Sequence, residues 1–191
     1  MALKFTINKV LPFILLYLAL IVSAAVIHFY IHSSGLKWTL RYLGIAGTGL
    51  IIISFVYSLR KRKIVNFGKA RSLLNLHELL AWAGSLLILL HAGFEFDSVI
   101  PRMAVIAMLI VVASGITGKY LLKQARESIK QKREELKAKN LSEEEIEKEL
   151  FALSLIADKM QLWRNVHIPL TVIFAAFALL HIITILLFWR W

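Results

Sequence analysis

Five apolar runs mark the chain, at about residues 10–30, 38–59, 73–94, 102–122 and 164–189, each bounded by polar or charged residues. A predominantly apolar run of about 20 residues crosses the hydrocarbon core as a helix. The pattern therefore predicts an all-α integral membrane protein: one membrane domain over residues 1–191 with five transmembrane helices. Lys4 and Lys9 precede the first run and Ser23, Ala24 and Ala25 lie within it, which would suit a signal peptide. The run is longer than a typical apolar signal core of about 7–15 residues, so it is expected to stay as a first span. His32-Ser33-Ser34-Gly35 makes a short turn into the second span, and Pro101 suits the first turn of the fourth. Ser114, Gly115 and Gly118 would let a neighbouring helix approach the fourth span closely. Pro169 predicts either a fresh helix start near Asn165 or a kink.

Residues 123–162 break the apolar pattern. Lys123, Arg126, Lys130 and Arg133 mix with Glu127, Glu134 and Glu135, so the fourth helix is expected to continue out of the membrane. Asn140 and Leu141 suit a turn, and Ser142-Glu143-Glu144-Glu145 suits a capping box that starts another helix. Ile146, Leu150, Leu153 and Met160 recur at helical spacing. The expectation is a cytoplasmic helical hairpin between the fourth and fifth spans, solvated or, alternatively, docking a cytoplasmic partner.

Composition agrees with a bilayer environment: 59% of residues are hydrophobic and mean hydropathy is +0.70. The net charge of +11 is explained by basic loops on the cytoplasmic side rather than by nucleic acid, because no basic patch is interleaved with exposed aromatics outside the spans. Arg60, Lys61, Arg62, Lys63, Lys69 and Arg71 share one short loop without an acid. That is expected to put the amino terminus inside and the carboxyl terminus outside, and a cell inner (plasma) membrane is the expected location. Trp163, Trp189 and Trp191 suit the interfaces. The absence of cysteine excludes a c-type haem attachment, an iron–sulfur cluster held by this chain, a thiolate zinc site and any disulfide.

The histidines change the picture most. His77 and His91 lie fourteen residues apart in the third run, and His167 and His181 fourteen apart in the fifth. Fourteen residues make just under four helical turns, so each pair shares a face and is separated by roughly 21 Å along the axis. The third and fifth spans run in the same direction, so His77 meets His167 near the cytoplasmic side and His91 meets His181 near the outer side. Such pairs supply the two axial ligands of a six-coordinate haem iron, which predicts two stacked, non-covalent b haems. A shared zinc or di-metal ion is disfavoured, since ligands so far apart cannot meet one ion and no carboxylates cluster beside them.

Gly84, midway between His77 and His91, is expected to leave room between two porphyrins or else to pack against a helix. Gly44, Gly47 and Gly49 could line a macrocycle similarly. His28 and His32, four residues apart near the outer end of the first span, and Glu78, rotated about 100° from His77, are candidates for a quinone or proton site. The ordinary alternative for the histidines is interfacial placement. Glu95 and Asp97 would face a basic partner or simply solvent.

The segments Leu76-His77-Glu78, Leu90-His91, Trp163-Arg164-Asn165-Val166-His167 and Leu180-His181 resemble the ferric-reductase-like transmembrane domain, and also the four-helix haem core of quinol-oxidising cytochromes b. The likeness covers roughly residues 72–188. It implies two b haems ligated by paired histidines on two helices separated by one more. It also implies that this chain, which has no Gly-rich dinucleotide fingerprint, takes its reductant from a partner or from quinol. The expected function is transmembrane electron transfer between a quinone or cytoplasmic donor and an extracytoplasmic redox partner. As an oxidoreductase subunit it would have no catalytic residue of its own. The alternatives are a quinol dehydrogenase or a ferric or small-acceptor reductase at the membrane surface, and a haem-free helical scaffold.

Overall fold

The computed structural model describes residues 2–93 and 98–188. Glu95, Asp97, Trp189 and Trp191 lie outside the described residues. Six helices account for the described fold: α1 (Ala2–Ser33), α2 (Thr39–Ser54), α3 (Val56–Lys61), α4 (Ala70–Ala92), α5 (Val99–Ala138) and α6 (Glu143–Phe188). Five stretches are long and apolar enough to cross a membrane: Ile14–Ser33, Thr39–Lys61, Ala70–Ala92, Val99–Ile116 and Asn165–Phe188. Large apolar side chains such as Leu79, Val172 and Leu187 face outward. In a chain of this composition that is the surface a bilayer covers, because lipid takes the place of a protein interior around each helix.

The helices form two tightly packed pairs, α2 with α4 and α5 with α6, joined by contacts of α4 with α5 and of α1 with both. In the middle of the bundle Ala107 and Met108 of α5 and Phe174 of α6 are buried together. Ile51 of α2 and Ile88 and Leu89 of α4 close over them. α4 and α6 approach one another only through side chains: among the described residues no Cα pair between them lies within 8 Å.

The second span is not one helix. It breaks at Phe55, whose N–H bonds back to the Ile52 carbonyl at 3.1 Å in a tighter turn. No glycine or proline marks this site, and its cause is tertiary: the Ser54 carbonyl accepts a hydrogen bond from a side chain of α4, and such intrusions interrupt helical ladders. Pro169 neither starts α6 nor ends it; the helix continues through it from Glu143 to Phe188. Pro101 sits in the first turn of α5, where its missing N–H costs nothing.

Beyond the apolar spans, α5 and α6 continue as a pair of helices joined at Lys139–Ser142. Asn140 turns the chain with a φ of 55°, a left-handed conformation that asparagine tolerates better than most residues. The capping box is present in full. The Glu145 N–H donates to Ser142 Oγ at 3.4 Å, and the Ser142 N–H donates to Glu145 Oε2 at 2.9 Å. Leu136, Ile146 and Leu150 are buried between the two helices, flanked by Ile129, Leu141 and Leu153. Lys137 Nζ lies 2.8 Å from Glu143 Oε1 across the turn.

The cap and this ion pair hold both carboxylates ionised. Hydrogen bonds from Ser142 lower the Glu145 pKa, and the Lys137 hydrogen bond and charge lower that of Glu143, below the usual 4.5. A carboxylate with a lowered folded-state pKa contributes stability above its unfolded value, and that stability is lost as pH falls through the folded value. Hydrogen-exchange protection over residues 136–150, corrected for intrinsic rates, should therefore drop between about pH 5 and pH 3. Ser142→Ala should lower it at neutral pH by about 1 kcal/mol. Unchanged protection in both measurements would mean that neither the cap nor the ion pair stabilises the hairpin.

A candidate two-tier histidine site

The close approach of α2 to α4 builds the site. An ideal Cβ on Gly47 would stand 2.8 Å from the Gly84 carbonyl oxygen, and one on Gly84 would stand 2.9 Å from that of Gly47. Only residues without side chains let two helix backbones come this near. The opening expected at Gly84 is thus taken up by α2, and this glycine serves the α2–α4 crossing rather than a space between two tiers.

Seven residues to either side of that crossing, the same approach brings a carbonyl of α2 to each histidine of α4. His77 Nδ1–H donates to the Ser54 carbonyl at 3.0 Å, and His91 Nδ1–H donates to the Leu40 carbonyl at 3.0 Å. The matched positions, 40 with 91, 47 with 84 and 54 with 77, step by seven in opposite directions. That is the register of two antiparallel helices packed along a seven-residue seam. Gly44 is part of the same fit: a Cβ there would strike the His91 ring at 2.6 Å. It makes room for the imidazole and not for a macrocycle. Gly49 faces open space.

On α6, His167 is held from α5. Ser114 Oγ lies 2.8 Å from the Val111 carbonyl and 2.6 Å from His167 Nδ1. The hydroxyl has a single proton, which it gives to the carbonyl. Its oxygen then accepts from His167 Nδ1–H. Ser114 is buried, and the hydroxyl is satisfied on both sides. In His77, His91 and His167 the Nδ1 proton is therefore committed. Each Nε2 is left with a lone pair, the state in which an imidazole ligates a metal.

Between α4 and α6 the rings of His91 and His181 meet. The centres of His91 and His181 lie 6.4 Å apart, with their planes at 49°. Metal–imidazole bonds of about 2 Å put the centres of two rings on opposite sides of one ion about 6 Å apart, so this pair has the separation of two axial ligands. Tyr57 of α3 flanks His77, with ring centres 5.8 Å apart. Among the described residues no three His, Cys, Asp or Glu side chains converge as a metal-binding group. A pair of imidazoles suits an ion whose other ligands come from a macrocycle, and this donor set fits haem.

His28 of α1 is half-buried, and its Nδ1–H donates to the Leu90 carbonyl at 3.2 Å, one residue from His91. Its ring occupies the place of a side chain at Gly93, where φ is +60° and a Cβ would stand 2.7 Å from it. His32 is exposed, its ring centre 6.3 Å from that of His28. Glu78 is half-buried on α4. His28 is thus tied to the site through the end of α4.

No protein-family model, curated protein or solved structure matches this chain.

Substituting the crossing glycine tests the frame of the site. Gly47→Leu forces side-chain volume into backbone and should cost about 1–3 kcal/mol, read as a lower thermal midpoint in detergent. Gly49→Leu, directed at open space, should leave the midpoint unchanged or raise it. Equal effects at the two positions would show that the crossing does not depend on a missing side chain.

Proposed function

We propose that this multi-pass membrane protein carries electrons across the bilayer between two b-type haems, as a subunit of a larger oxidoreductase. His77 and His167 hold the inner haem and His91 and His181 the outer. The observation that carries this reading is the meeting of the His91 and His181 rings between α4 and α6, with His77 and His167 fourteen residues back on the same two helices and three of the four imidazoles hydrogen-bonded at Nδ1. Buried ionisable residues within spans are costly and serve function by default. A ligating histidine almost always donates its other ring N–H to an acceptor, which fixes its tautomer and raises its basicity.

Bound in these places, haem supplies reversible one-electron chemistry near each face of the membrane. The chain's own work is to orient the rings and keep water out. The Ser54 and Leu40 carbonyls and the Ser114 hydroxyl aim three imidazoles. Met108, Phe174, Ile88 and Leu89 fill the interval between the tiers with apolar side chains.

In this reading the basic loop at Arg60–Arg71 and the hairpin face the cytoplasm of a cell with an inner (plasma) membrane, where the hairpin is available to a partner. The donor is a quinol or a cytoplasmic reductant, and the acceptor is a redox protein outside.

The deciding measurement is a reduced-minus-oxidised spectrum with haem quantified per chain. The expected result is two b-type haems in the parent. His91→Ala and His167→Ala should each keep about half of the haem, with the losses falling on spectrally or potentiometrically different haems. Colourless protein after expression with ample porphyrin would overturn the assignment. Loss of the same haem in both variants would overturn the pairing.

A further inference from the structure

The four histidines are not held alike. His77, His91 and His167 each have an Nδ1 acceptor, from a backbone carbonyl or from Ser114. Among the described residues the His181 ring has no hydrogen-bond partner, and its described neighbour is the His91 ring. His181 also borders a cavity. This space of 330 Å³ lies between the start of α5 and the end of α6, lined by Ser98, Pro101, His181, Thr184, Ile185 and Phe188. Its volume is at the lower end of the range of small-molecule pockets, about 300–1,000 Å³.

From this asymmetry we propose that His181 is an exchangeable ligand, and that the cavity beside it admits a small neutral molecule to the outer iron. The inference rests on the haem reading above. A ligating imidazole with no acceptor for its Nδ1–H is a weaker base and is free to turn about its Cβ–Cγ bond. Losing such a partner typically weakens metal binding about 10–100-fold. The ring needs space into which to swing, and the cavity adjoins it. The exchange is a simple substitution: the His181 nitrogen leaves the iron with its lone pair, the incoming ligand donates its own, and no electron is transferred. The inner tier has no such freedom, because both its imidazoles are anchored.

The lining selects the ligand class. Pro101, Ile185 and Phe188 are apolar. The Thr184 hydroxyl is already committed to the carbonyls of Leu180 and His181, at 2.9 and 2.8 Å. Phe188 on the rim is 80% exposed, so the entrance is itself apolar. Among the described residues no charged side chain lines the space, and this apolar lining suits a small neutral ligand of ferrous iron, such as a diatomic gas.

Carbon monoxide is the probe. The reduced holoprotein should bind one CO per two haems, read as a shift of about half the Soret absorbance. His167→Ala, which removes the inner haem, should keep that CO-reactive haem. Ile185→Trp, which fills the cavity, should lose CO binding while keeping both haems. A protein with two haems that binds no CO, that binds it at both tiers, or that loses its CO-reactive haem in His167→Ala would overturn the inference while leaving the haem reading intact. A protein without b-type bands would overturn the haem reading itself.

Discussion

The site depends on how closely two helix backbones can approach inside a bilayer. A histidine in hydrocarbon needs an acceptor for its Nδ1 proton, and the spans offer few side chains that could serve. α4 finds its acceptors in the backbone of α2, at Ser54 and Leu40. Those carbonyls come within reach because Gly47 and Gly84 let the two helices touch at their crossing. Apolar burial cannot enforce this by itself, since lipid tails offer a leucine the same surroundings as a neighbouring helix does. Close packing and hydrogen bonding therefore carry the specificity, and in α2–α4 both fall on one seven-residue seam.

α5 and α6 solve the same problem with a side chain. Ser114 stands where α5 faces His167, and its hydroxyl passes the imidazole's hydrogen bond on to the Val111 carbonyl. The register that sets this contact also places Met108 against Phe174 in the middle of the bundle and Leu136 against Ile146 in the hairpin. The apolar contact beyond the membrane and the polar contact within it thus belong to one continuous antiparallel pairing. His181 lies near its far end, where the helices part around a cavity.

Much of this was legible in the sequence, for reasons that differ by element. The five spans follow from run length alone, and the observed helices cover them within a few residues. The capping box at Ser142 and the apolar stripe Ile146, Leu150 and Leu153 are local signals, and local signals carry over well. The fourteen-residue spacing that keeps two histidines on one face of each helix was visible, and of the expected pairs the rings of His91 and His181 meet. The break at Phe55 was not legible, since nothing in its own segment requires it: His77, more than twenty residues later, draws on the Ser54 carbonyl there. The role of Gly84 was hidden similarly, because its partner is on another helix; a count of seven from Gly47 to Ser54, matched by seven from Gly84 to His77, was the available signal. Pro169 suggested an interruption, and helical continuity on both sides prevailed.

The unbroken course of α6 constrains how the protein can vary. Hairpin and histidines ride on one rod from Glu143 to Phe188, so a single residue inserted between Leu150 and His167 would swing both imidazoles by about 100° relative to the hairpin. Seven inserted residues would return them to within about 20° but advance them by roughly 10 Å along the axis. Relatives of this chain should therefore tolerate length changes in the turn at Lys139–Ser142 and resist them in the rod above it.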